Sequence, residues 1–262
     1  MPQKLPFYLI LFFLLLLVAL ILIRLCIRSS NAIVIVEPRK HPFLKTVIEN
    51  FNKNMDATWD LYVFYGNSNK DYALEAVKNI YKRRVFTIPV GADNLNADEY
   101  NRLFKTKDFW AKIQAENILI FQTDVALCSN SVNNIYDYIN FDYIGCSIND
   151  KTIGNKNVPE WWAGENFYGV GGMSFRKKTF TLNCLDNLSP NDSSAEDVFY
   201  SNCVAKSKNK PTSAYQIANF CTQNKYTHKS FGAHRTEILK KESTDRYYDF
   251  AKYCPEIIAI NQ

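Results

Sequence analysis

The sequence predicts an α/β domain organised around a mostly parallel sheet. Three observations carry this. Short apolar runs of four to six residues recur along the chain, and they do not alternate with polar residues, as strands buried on both faces do not. Between them lie stretches with helical periodicity. Strand and helix alternate through roughly the first 95 residues after the amino-terminal segment, the pattern of a parallel sheet with helical crossovers.

The first strand is Ala32-Ile33-Val34-Ile35-Val36. Leu44, Val47, Ile48 and Phe51 follow at i, i+3, i+4 and i+7, and Pro42 suits a first helical turn. Leu61-Tyr62-Val63-Phe64-Tyr65 is a second strand, closed by Gly66 and Asn67. A second helix carries Leu74, Val77 and Tyr81, and a third strand runs from Val85 to Val90. Asn96 followed by Glu99 has the form of a capping box. A helix from Asp108 to Ala115 leads into a fourth strand, Ile118-Leu119-Ile120-Phe121. The second half is richer in Asn, Gly and aromatic residues and weaker in periodicity. It is expected to form short strands, loops and a few helices within the same domain, not an independent one.

The amino terminus is of another kind. Phe7 to Ile23 contains no charged residue. These seventeen residues, at ~1.5 Å each, reach roughly 25 Å, a little short of a ~30 Å hydrocarbon core. Leu25, Cys26 and Ile27 extend the run if Arg24 snorkels to the headgroups. The expectation is a transmembrane signal anchor over residues 1–28 and a domain over residues 29–262. A cleaved signal peptide would have a shorter apolar region ending in small residues. Lys4 and the amino group stand against Arg24 and Arg28, so flanking charges do not fix the orientation. The expected arrangement is a single-pass, type II protein with its carboxy-terminal domain in the ER or Golgi lumen.

The net charge of +5 comes from interspersed acids and bases, without a basic stripe or nucleic-acid motif. No nucleic-acid partner is expected. The seven cysteines include no CxxC pair, which argues against a zinc ribbon. Six lie after the anchor, free to form disulfides in an oxidising lumen. Two glycosylation sequons occur, Asn187-Leu188-Ser189 and Asn191-Asp192-Ser193.

Ligands of open α/β sheets bind beyond the carboxyl ends of the strands. That rule selects Glu37, Pro38 and Arg39 after the first strand, Gly66 after the second, and Gln122-Thr123-Asp124 after the fourth. A carboxylate such as Asp124 there suits a divalent cation on a diphosphate, or simply caps the next turn. Gly169-Val170-Gly171-Gly172-Met173-Ser174-Phe175-Arg176 permits close backbone approach, in a binding loop or a tight turn between core strands. It has no GK[ST] ending and is not a phosphate-binding P-loop. Trp161, Trp162 and Tyr168 precede it, with flat faces suited to sugar rings or to a core. Glu196-Asp197 before Val198-Phe199-Tyr200 reads as the first turn of a helix, where acids are favoured by the dipole or can act as a base. His234 and Arg235 offer an imidazole ligand and a phosphate contact. The first strand ends in Glu37-Pro38-Arg39 and not in a glycine-rich turn, against a Rossmann-type methyltransferase or dehydrogenase.

Taken in order, several segments resemble glycosyltransferases of the GT-A type, and in particular a domain-of-unknown-function family grouped with predicted glycosyltransferases. They are Phe109-Trp110, Leu119 to Asp124, Phe141-Asp142-Tyr143-Ile144-Gly145, Gly169 to Arg176, Glu196-Asp197-Val198-Phe199 and Phe231-Gly232-Ala233-His234. The resemblance implies a GT-A-like, Rossmann-like mixed sheet with helices on both faces. It implies a hexosyltransferase-type enzyme that moves a sugar from a UDP- or GDP-sugar to a glycan or protein hydroxyl, with Mn²⁺ or Mg²⁺ on the diphosphate. It implies metal binding by Asp124 and His234. Donor binding would involve Glu37, Arg39, Gly66, Thr123, Asp124, Gly171, Gly172 and Arg235. Acceptor binding would fall to Trp161, Trp162 and Tyr168, and the base to Asp197, with Glu196 second. The sequence departs from the pattern twice. The DxD-type motif has one acid, with Ala126 where the second would stand, and Val170 stands where the family usually has Asn. The alternative is a membrane-tethered carbohydrate-binding or scaffold protein that keeps the fold without turnover.

Overall fold

The structure, a computed structural model, describes residues 9–16, 29–148, 168–188, 194–223 and 226–260. Residues 9–16 are helical and exposed. Among the described residues no helix is long and apolar enough to cross a membrane. Most of the expected anchor, together with Trp161, Trp162 and the Asn191 sequon, lies outside the described residues.

The domain is a mixed α/β structure. Strands β1 (Asn31–Glu37), β2 (Asp60–Tyr65), β3 (Val85–Pro89), β4 (Asn117–Phe121), β6 (Tyr143–Cys146) and β7 (Val170–Lys177) form one sheet in the order β3-β2-β1-β4-β7-β6. The first four are parallel; β7 runs antiparallel to β4 and to β6. A smaller sheet, β5-β9-β8, joins β5 (Val125–Leu127), β9 (Gly232–His234) and β8 (Cys221–Thr222).

The non-alternating apolar strands β1, β2 and β4 are explained by burial on both faces, whereas β3, at the edge of the sheet, is half-buried to exposed. In β1, Ile33 and Ile35 join a core with α1 (Leu44–Asn54) and α2 (Lys70–Val77). Ala32, Val34 and Val36 face the other way, toward α3 (Ala97–Phe104), α4 (Lys107–Ala111), α5 (Lys178–Asn187) and α6 (Glu196–Val204). The periodic residues Leu44, Val47, Ile48 and Phe51 are all buried, and Phe51 stacks on Phe121 of β4. The capping box of Asn96 and Glu99 is formed in both directions.

Some boundaries differ from expectation. Pro42 lies in the turn before α1, not in its first helical turn. The fourth helix stops at Ala111 instead of Ala115, because Lys112 and Ile113 close i→i+3 bonds to Phe109 and Trp110 and the amide of Gln114 is drawn to the Tyr62 hydroxyl. The glycine-rich segment is not a loop. It is strand β7, whose pairing with β6 shifts register at Gly145 and Cys146. That bulge leaves Gly171 to Met173 without a partner in β6.

Three disulfides join the six described cysteines: Cys128–Cys254, Cys146–Cys221 and Cys184–Cys203. The second ties β6 of the large sheet to β8 of the small one. The third joins α5 to α6. The carboxy-terminal helices α7 (Ala214–Phe220), α8 (Glu237–Glu242) and α9 (Thr244–Tyr253) complete the fold, and the first disulfide anchors the residue after α9 beside β5.

Candidate functional site at the carboxyl edge of the sheet

The sheet order reverses between β1 and β4: β1 leads on to β2 on one side, while β4 lies on the other. Such a switch point opens a crevice at the carboxyl ends of the two strands. Glu37 ends β1 there and Arg39 follows it, and Gln122, Thr123 and Asp124 follow β4.

Glu37 is buried and holds Arg39 by a two-pronged ion pair, Nε to Oε1 at 2.8 Å and Nη2 to Oε2 at 2.9 Å. This fixes a half-exposed guanidinium at the crevice. Asn69, buried, ties the region together. Its amide donates to the carbonyls of Glu37 and Arg39 at 3.0 and 2.7 Å, and its oxygen accepts the Gly66 amide at 2.7 Å. A Cβ on Gly66 would fall 2.3 Å from the Pro38 carbonyl oxygen on the same edge, so no larger residue fits there. The charge of Asp124 acts on both Arg39 and His41, and burial above all holds the His41 imidazole below its ordinary pKa.

Asp124 and His234 come from distant parts of the chain. Val125 of β5 pairs with His234 of β9, and the Arg235 amide donates to the Asp124 carbonyl at 3.1 Å. His234 Nε2 lies 3.5 Å from Asp124 Oδ1, with the imidazole 5% exposed and the carboxylate 38% exposed. Both nitrogens of His234 and Oδ1 of Asp124 are buried without a hydrogen-bond partner. Burial holds His234 below its ordinary pKa, so the ring is a neutral donor. Two donors that share an ion at about 2.1 Å stand roughly 3.0–3.5 Å apart, so the pair fits a divalent cation. Among the described residues no cluster of three or more His, Cys, Asp or Glu side chains is placed to hold a metal. Thr123 is buried beside Asp124, while Arg235 is half-exposed and pairs with Glu237.

The two glycines of β7 show why no larger residue stands there. Successive residues of a strand face opposite sides. A Cβ on Gly172 would fall 2.2 Å from His234 Nε2, and one on Gly171 would fall 1.8 Å from Glu196 Oε1. One glycine makes room for the imidazole and the other for the carboxylate.

Glu196 and Asp197 do open a helix, α6, and their environments differ. Glu196 is buried and paired with Arg176, Nη2 to Oε2 at 2.7 Å. Asp197 is half-buried and accepts the Gly171 amide at 3.2 Å and the Val198 amide at 2.8 Å. Burial first, and the neighbouring Glu196 second, raise its carboxyl to about 7. Tyr168 packs on the second core at 6% exposure and offers an acceptor little surface.

Asn69 and His41 were not singled out by sequence reasoning, and Ser174 and Arg176 were read only as members of the glycine-rich segment, with no role of their own. An Asn three residues after a strand-ending glycine was the one available signal for Asn69. Arg176 is an ordinary residue of a strand until its burial is seen.

A family described as "Protein of unknown function (DUF5672)" matches residues 86–234. No curated protein matches in sequence. Among solved structures, S. aureus TarS 1-349 is similar at 11% identity and a TM-score of 0.45, covering 67% of this chain and 55% of that one. The same protein in complex with UDP-GlcNAc is similar at 9% identity and a TM-score of 0.41, covering 59% and 47%. A further structure of S. aureus TarS gives 10%, 0.46, 67% and 33%. The chain thus spans about half or less of the length of the TarS chains it matches.

Proposed function

The chain belongs to the family described as "Protein of unknown function (DUF5672)", and we propose that its activity is metal-assisted transfer of a hexose from a nucleotide sugar to a hydroxyl acceptor. The observation that carries the reading is the Asp124–His234 pair, 3.5 Å apart with buried donor atoms left unpartnered, at the switch point of the sheet. Asp124 and His234 would hold Mn²⁺ or Mg²⁺. Bound there, the cation would neutralise charge on the departing nucleoside diphosphate. Arg39, held by Glu37, supplies a fixed cation at the same edge and suits a phosphate oxygen. Gly172 makes room for the His234 imidazole beside Asp124, and Asp197, at about 7, is suited to take a proton from an acceptor hydroxyl near neutral pH.

The test is calorimetric titration of the purified protein with UDP and GDP, with and without Mn²⁺. Binding should require the metal, and Asp124→Ala should weaken it by about tenfold or more. Equal affinity without metal and in the variant would remove the metal from the reading. A panel of UDP- and GDP-hexoses then separates enzyme from binding protein: nucleotide binding without turnover on any donor favours the tethered, inactive alternative, which the single acid of the DxD-type motif also suggests.

The three disulfides support an oxidising compartment. With the apolar amino-terminal segment, they favour a type II protein whose domain lies in the ER or Golgi lumen. Protease digestion of sealed vesicles checks this: the domain should be protected until detergent is added.

A further inference from the structure

Resting on the reading of Asp197 as the acceptor-side carboxyl, we propose that Arg176 is a positioning residue that, through Ser174 and Glu196, clamps the Gly171 peptide against Asp197. Arg176 is fully buried on β7. Its guanidinium carbon lies 4.8 Å from the ring centre of Tyr200, 5.1 Å from Tyr143, 5.5 Å from Phe104 and 5.7 Å from Trp110. A charge so enclosed is costly, and an apolar residue of like size generally serves a core at least as well. Packing alone therefore does not account for it.

What the cation holds does account for it. Nε and Nη2 donate to Ser174 Oγ at 3.1 and 2.9 Å, and that hydroxyl donates to the Gly171 carbonyl at 3.2 Å. Nη2 also meets Glu196 Oε2, and the other oxygen of that carboxylate occupies the space where Gly171 would carry a Cβ. The Gly171 amide in turn donates to Asp197 Oδ2. One residue is thus gripped at its carbonyl, its Cα and its N–H, and two of the three grips run back to Arg176. The bulge in the β6–β7 pairing explains the need, because Gly171 has no ladder partner in β6 to hold it. Glu196 is accordingly a fixed arm of the clamp, and Asp197 is the carboxyl left free to exchange a proton.

Asp197 is faced by Glu196 from its own helix, by Arg176 from β7 and by the Tyr143 hydroxyl group from β6. The test reads the clamp directly by NMR, following the Gly171 amide and the Asp197 carboxyl through a pH titration. In the unaltered protein both should move with one shared midpoint. In Arg176→Met combined with Glu196→Gln, which replaces the ion pair by neutral groups of similar shape, the Gly171 response should largely disappear while the fold, judged by near-UV circular dichroism, persists. Arg176→Lys, which keeps the charge but not the fork, gives the second reading and should also uncouple the pair. Where a donor is turned over, kcat should fall about tenfold or more with KM for the donor little changed. A Gly171 amide that still follows Asp197 in both variants would overturn the clamp. The NMR reading needs no donor, so failure of the transferase reading would show separately, as absence of turnover in the unaltered protein.

Discussion

Gly172 lies under the imidazole of His234, and the cost of any side chain there is set by a 2.2 Å contact. Gly172→Ala is expected to push the ring away from Asp124 and to weaken Mn²⁺-dependent nucleotide binding by about tenfold or more, with metal-free behaviour unchanged; calorimetry with and without Mn²⁺ checks this. Asp197 makes a different prediction at the same scale. Its carboxyl is raised from 3.8 to about 7, so between those values the folded protein holds a proton that the unfolded chain has released. The contribution of this group to stability is present below about 4 and is lost as the pH rises through about 7. Asp197→Asn should therefore gain in melting temperature relative to the unaltered protein as the pH is raised over that range. A difference that stays flat with pH would show that the carboxyl is not raised. The sequence made these residues visible as types, a lone acid after a strand, a glycine pair and a late histidine. It did not show that the glycines serve two different partners, because that depends on opposite faces of β7 meeting two elements far away in the chain.

At the scale of elements, the capping box on α3 was legible because both of its residues lie within one turn. Asn96→Ala should cost about 1 kcal/mol, measured by urea unfolding. The disulfides were not legible as pairs, since six cysteines admit many pairings. Their loops differ widely: 19 residues separate Cys184 from Cys203, and 126 separate Cys128 from Cys254. Loop-closure entropy predicts a cost of about 3 kcal/mol for replacing the short pair by serines and nearer to about 5 kcal/mol for the long one. Urea titration of the two double variants should preserve that order. The glycine-rich segment was the element least legible in its form. Its composition suggested a loop, yet its residues are extended, and the register shift against β6 supplies the irregularity that the glycines serve.

For the whole molecule, the decisive arrangement is the reversal of strand order between β1 and β4, which opens the crevice, and the small sheet, which brings His234 to it. The Cys146–Cys221 disulfide fastens that small sheet to the large one. Reduction should therefore loosen the site as well as the fold. Dithiothreitol is expected to diminish Mn²⁺-dependent nucleotide binding at temperatures where far-UV circular dichroism is still native, and loss of both together would place the disulfide in global stability only.

The sequence by itself determined the α/β class and the order of the first strands and helices, through local periodicity and apolar runs. It also determined that the polar residues after those runs would gather at one edge, since parallel strands carry their carboxyl ends to the same side. The tertiary structure alone decided that Asp124 meets His234, that Glu196 is bound by Arg176 while Asp197 is not, and which cysteines join. Each of these joins residues separated by 19 or more positions, as in Cys184–Cys203. Contacts of that kind follow from how sheets and helices stack, and no pattern within a single turn or strand encodes them.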